Sequence, residues 1–200
     1  MRSLSKSVLL AVFFVSPMSL AAIPQQALLD CYRSPGGTSL TIEDYKALSK
    51  ISKQTFCQKT ANSFAKADLI EILKNQSEIG ISVAGTQWSK YDLIEVAKSG
   101  KMTLIVDGLR FNRENLLEIA KGGAQLAITT SSGFLKDDLI AIAREVPLVV
   151  AVTSNLIKDD LKQLAASKIQ LVIFLSDSGI GNYDLIDIVK SNPEMVSIKP

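Results

Sequence analysis

The chain contains no histidine. That absence removes the residue that most often serves as general base, metal-binding imidazole and middle member of a hydrolytic triad. No apolar run reaches the roughly 20 residues that a membrane span requires, so no span is expected. Charge of one sign is also missing, because 22 Lys and Arg stand against 20 Asp and Glu with no long basic run. Such a chain has no electrostatic footprint for nucleic acid or for an anionic membrane. No metal site and no cofactor are expected.

The N-terminus is more specific. Arg2 and Lys6 precede an apolar stretch from Val8 to Val15, followed by Pro17 and Ser19-Leu20-Ala21-Ala22. Charge, short apolar core and small-residue exit read as a secretory signal peptide over residues 1–22, which implies a periplasmic or secreted protein. Its removal takes away two bases and no acid, leaving 20 − 20 = 0 as the formal charge. Cys31 and Cys57 are the only cysteines. In an oxidising compartment they are expected to form a disulfide, closing a loop of about 25 residues worth on the order of 3 kcal/mol.

The strongest pattern is a repeat. Asp68-Leu69-Ile70, Asp92-Leu93-Ile94, Asn115-Leu116-Leu117, Asp138-Leu139-Ile140, Asp160-Leu161-Lys162 and Asp184-Leu185-Ile186 follow one another at spacings of 24, 23, 23, 22 and 24. Asp44-Tyr45-Lys46 begins a degraded first unit 24 residues before Asp68. Three residues beyond each Leu come Ile72, Val96, Ile119, Ile142, Leu164 and Ile188, and the next column is rich in Ala. These offsets trace one apolar stripe of a short helix. A β-like run follows in each unit: 81–83, 104–106, 126–128, 148–152, 171–175 and 196–198. Strand and helix recurring in constant order make a parallel sheet with helices on one side.

In period and strand-then-helix order the chain resembles a leucine-rich repeat over residues 64–200. The resemblance implies a single-domain right-handed α/β solenoid with a curved, protein-binding sheet face. Residues 23–63 are then a disulfide-pinned cap with the degenerate first repeat, followed by six α/β repeats.

Candidate chemistry is sparse. Ser131-Ser132-Gly133 and Ser176-Asp177-Ser178-Gly179 recur at the phase of a turn, and turn chemistry explains them. Asp107 and Asp177 both follow strands, but three strands of separation is about 14 Å, beyond the roughly 5 to 9.5 Å of paired catalytic carboxylates. A hydrolase using such loop carboxylates is the least favoured reading. The Lys66, Lys90, Arg113, Lys136, Lys158 column beside the acids suits the first turn of a helix.

Leu148-Val149-Val150-Ala151-Val152 and Leu171-Val172-Ile173-Phe174-Leu175 break the regularity by being apolar on both faces. Strands of this kind are covered on both sides. Either the sheet curls toward a barrel, or a partner, ligand or second copy covers the patch. The leading expectation is a non-catalytic binding protein that holds a protein or peptide partner on Val149, Ala151, Val172 and Phe174. On that reading Val172→Asp abolishes capture and leaves the fold intact. An envelope immunity or inhibitor protein is the related alternative, and the C-terminal edge strand is a candidate homodimer contact.

Overall fold

The computed structural model describes residues 41–58, 64–84, 86–154 and 156–200. Residues 1–22, read as a signal peptide, and Cys31 lie outside the described residues.

In five units the basic column, Lys66, Lys90, Arg113, Lys136 and Lys158, is the first helical residue, and in every unit the Asp or Asn is the third. The helices are α1 (Ile42–Ile51), α2 (Lys66–Lys74), α3 (Lys90–Ala97), α4 (Arg113–Lys121), α5 (Lys136–Glu145) and α6 (Lys158–Ala166), then a single turn α7 (Leu175–Ser178) and α8 (Asn182–Ser191). Their starts are set locally. Ser89 Oγ accepts from Asp92 N–H at 3.3 Å while the Asp92 carboxylate accepts from Ser89 N–H at 3.1 Å. This reciprocal capping box satisfies donors that an α-helix leaves open at its first turn. Thr41 and Asp44 repeat it on α1, and Asn112 caps α4 by accepting from Asn115 N–H.

The strands are β1 (Thr55–Gln58), β2 (Glu78–Ser82), β3 (Lys101–Val106), β4 (Gln125–Thr129), β5 (Leu148–Val152), β6 (Gln170–Phe174) and β7 (Val196–Lys199). They form one seven-stranded sheet in chain order, and every neighbouring pair is parallel. The unit therefore propagates without a crossover of order. The main core lies between sheet and helices, where Ile81, Leu104, Leu126, Val150 and Ile173 meet the helical stripe of Leu69, Leu93, Leu116, Leu139 and Leu161. Phe64, Trp88, Phe134, Leu156 and Ile180, each just ahead of a helix cap, pack on its edge.

A second core occupies the other face of the sheet. Ile105, Ala127, Val149, Ala151, Val172 and Phe174 form one cluster, none more than 3% exposed. Register explains the grouping, since Ile105 pairs with Ala127, Ala127 with Val149, and Ala151 with Val172. An open solenoid sheet leaves this face to solvent; here the parallel sheet curls into a half-barrel, with the described helices outside. The expectation of a leucine-rich-repeat-like solenoid is thereby corrected. The positions at which that repeat carries Asn after its strand are held here by Ala84, Asp107, Thr129 and Ala151. The α/β class, parallel order and helices on one side remain.

Lys46 and members of the basic column join successive units. Lys46 reaches Asp68 at 2.7 Å, Lys66 reaches Asp92 at 2.9 Å and Glu95 at 2.7 Å, Lys136 reaches Asp160 at 3.0 Å and Lys158 reaches Asp184 at 3.1 Å. Each of these cations therefore clamps an acid in the first turn of the next helix. In β1, Cys57 is disulfide-bonded and half-buried.

The Ser89 hydroxyl, then the Lys66 ammonium and the Ser89 N–H, hold the Asp92 carboxyl down at about 2. A carboxyl depressed in the folded state stabilises fully above its unfolded value near 4 and ceases to do so as pH falls through its folded value. Asp92→Asn is therefore expected to lower stability by about 0.5–1 kcal/mol at neutral pH. In urea melts, its difference from the unmodified chain should shrink toward zero as pH falls from 4 to 2. A difference that stays constant over that window would show that the carboxylate charge is not what matters.

Candidate functional site

In a curled parallel sheet the strand ends of one sense converge on a common mouth, and here the C-terminal ends carry the polar groups. Asp107 follows β3 directly. One carboxylate oxygen accepts from Ser82 Oγ–H at 2.6 Å, and the other accepts from the Ala84 N–H at 2.9 Å. The carboxylate is thus fixed to the neighbouring β2 loop, and it has no cation partner among the described residues. By contrast, Asp68, Asp92, Asp138, Asp160 and Asp184 on the helices all face a lysine or arginine.

Beside Asp107 stands a run of hydroxyls from β4 and β5. Thr129 donates to the Val106 carbonyl at 3.3 Å and shares a 3.0 Å hydrogen bond with Ser131. Thr153 donates to Ser131 at 3.1 Å, and Thr130 Oγ1 accepts from the Thr153 and Ser154 N–H groups at 3.0 and 2.9 Å. This network fixes the β4 and β5 loops to each other. A single turn of 3-10 helix, Thr130–Ser132, ends at Gly133 with φ +92°, a conformation that glycine adopts without steric cost. Leu109 covers Gly133 so closely that a Cβ there would lie 2.9 Å from its side chain. Between the loops after β3 and β4 a shallow cleft of about 400 Å³ is lined by Leu109, Phe111, Phe134, Arg113 and Asp138.

Val149, Ala151, Val172 and Phe174 come together as expected, but as the closed floor beneath the mouth, at 0–1% exposure. The side chains that were to meet a partner on an open sheet are buried in the chain itself. Binding of a protein or peptide on that face, with its immunity-protein variant, is therefore withdrawn. Asp107 and Asp177 are not brought together, since they follow β3 and β6, three strands apart in the sheet order. Ser131 and Ser132 lie in the 3-10 turn and Ser176 and Ser178 in α7, as turn residues. Among the described residues no group of His, Cys, Asp and Glu is placed to hold a metal ion, and no helix is long and apolar enough to cross a membrane.

No protein-family model matches the chain, and no curated protein matches it. Among solved structures it is similar to KGPDC from Streptococcus mutans, with 14% identity over 74% of this chain and 77% of that one and a TM-score of 0.47. It is similar also to a mandelate oxidase with benzoyl-formic acid, at 14% identity over 72% of this chain and 56% of that one, TM-score 0.44. Orotidine 5'-monophosphate decarboxylase from Methanocaldococcus jannaschii, complexed with the inhibitor BMP, shows 9% identity over 74% and 88% of the two chains, TM-score 0.37. The expectation of a non-catalytic protein that binds on an open sheet face is not kept, because that face is buried. Likeness at these scores carries none of their activities to this chain.

The Asp107 constellation was not legible as a unit in the sequence, because Ser82 and Asp107 are far apart in the chain and meet only through the pairing of Ser82 with Ile105. The placement of Val172 leads to a prediction opposite to the one for an open sheet. Val172→Asp sets an unpaired charge in a site with 0% exposure, a penalty of at least about 4 kcal/mol. The variant should lose its cooperative thermal transition in circular dichroism, whereas Leu135→Asp, at an exposed position, should keep it. A folded Val172→Asp protein would place that face in solvent.

Proposed function

We propose that the protein takes a small polyhydroxylated molecule at the C-terminal mouth of the half-barrel, with Asp107 as its anchor. The observation that carries this reading is the Asp107 carboxylate, fixed by Ser82 and Ala84 and uncompensated by any cation among the described residues. Ligands of parallel α/β sheets enter at the carboxyl ends of the strands. An ionised carboxylate accepts several hydrogen bonds and donates none, so it selects a ligand rich in donors. Hydroxyls of Ser131 and Thr153 both donate and accept, which matches a ligand whose own hydroxyls do the same.

Fixing the carboxylate beforehand lowers the ordering cost of binding. It also sets the chemistry available. Asp107 is the one carboxylate among the described residues directly at the ends of β2 to β5. An acid–base step on a bound hydroxyl or its neighbouring carbon would run through it, with Ser82 as its positioning partner.

Saturation-transfer NMR on a panel of monosaccharides and linear polyols tests the reading. At least one member should give a signal that is displaced by unlabelled excess and lost in Asp107→Asn, with Ser82→Ala weakening it about tenfold, as expected for one charge-assisted contact. If no panel member gives a signal that depends on Asp107, the mouth does not serve this class of ligand.

A further inference from the structure

The opposite end of the sheet carries a second, independent feature. Around the N-terminal ends of β1 to β3 lies a cleft of about 740 Å³, within the size range of small-molecule sites. Its wall includes Lys53 on the connection after α1, Lys74 at the end of α2 and Lys101 at the start of β3, with Glu78 as the single acid. Lys101 is held by Glu78 at 2.8 Å, whereas Lys53 and Lys74 enter no ion pair among the described residues. The lining charge is therefore 3 − 1 = +2.

Dipole compensation accounts for Lys74, which sits in the last turn of α2. It does not account for Lys53. Nor does it account for the buried hydroxyl in the wall. Ser77 is 1% exposed, and its Oγ accepts from the Gln54 N–H at 3.4 Å. No acceptor for its own proton is found among the described residues. A buried donor left open is costly, on the order of 1 kcal/mol or more.

The wall is also shaped with some strain. Gln76 takes φ +65°, a left-handed conformation that glycine adopts more easily, and it lines the cleft. Gly100 lets the chain pass against the end of α2, where a Cβ would lie 3.0 Å from both Leu73 Cβ and the Leu73 carbonyl oxygen. Leu73 supplies an apolar patch to the same wall.

The geometry points to a binding site for a small organic oxyanion, its charge met by Lys53, Lys74 and Lys101 and one oxygen accepting from Ser77. The site is separate from the Asp107 mouth and does not depend on what that mouth binds.

The test is a titration of the full chain with citrate and with inorganic phosphate, followed by amide NMR, with glycerol as neutral control. Citrate should give saturable shifts at Ser77 and Gly100 that weaken as NaCl rises. The double variant Lys53→Gln/Lys74→Gln, which changes two exposed side chains, should bind at least about tenfold more weakly, on the scale of losing two nearby charges. Ser77→Ala should weaken binding with the charges intact, and Asp107→Asn should leave it unchanged. Saturation by phosphate as well would support a site for the oxyanion group itself. Absence of saturable shifts with both anions, shifts of equal size with glycerol, or undiminished citrate binding by the lysine double variant would each overturn the proposal.

Discussion

Burial of the parallel sheet on both faces is the constraint on which the rest of the molecule depends. One face is covered by the helices through a stripe that each unit repeats. No helix among the described residues lies on the other face, yet Ile105, Ala127, Val149, Ala151, Val172 and Phe174 are dry. A β/α unit of about 23 residues can be stacked into an open solenoid or bent into a barrel, and the chemistry of this inner face distinguishes them. Valine and phenylalanine at the inner positions of β5 and β6 make exposure unfavourable, at roughly 25 cal/mol per Å² of apolar surface. The curl places the C-terminal strand ends around one mouth and the N-terminal ends around the opposite cleft.

Electrostatics follow the same division. On the outer helices, acids sit in the first turn and lysines tie them to the unit before, so these charges are spent on the fold. Asp107 at one end of the sheet, and Lys53 and Lys74 at the other, stand outside that scheme. Their different sign accounts for the different ligand class assigned to each end. The helix ladder is exposed enough for solvent to screen it, and its contribution lies in registering the units more than in adding stability.

Much of this architecture was legible from residue order. The six Asp or Asn positions marked helix starts because the preference for the first turn is local, set by the helix dipole and, at Ser89 and Asn112, by a cap complete within three residues. The stripe through Leu93, Val96 and Ala97 and its counterparts marked the buried face for the same reason of short range. The inner strands were also visible as apolar on both sides, but such a run specifies that something covers it and not what. Ser82 and Asp107 meet through strand register, and the cleft beside Ser77 depends on where α2 stops and how closely Gly100 passes it. Those are tertiary facts, and nothing within a single unit encodes them.

The account rests most heavily on the dry inner face, and solvent paramagnetic relaxation of methyl groups measures that directly. With a soluble gadolinium chelate, the methyls of Val149, Ala151 and Val172 should be as protected as those of Leu104 and Leu126 beneath the helices. Leu109 and Leu135, exposed at the mouth, should broaden strongly. Broadening of Val149, Ala151 and Val172 to the level of Leu135 would contradict the curled half-barrel and, with it, the placement of both sites.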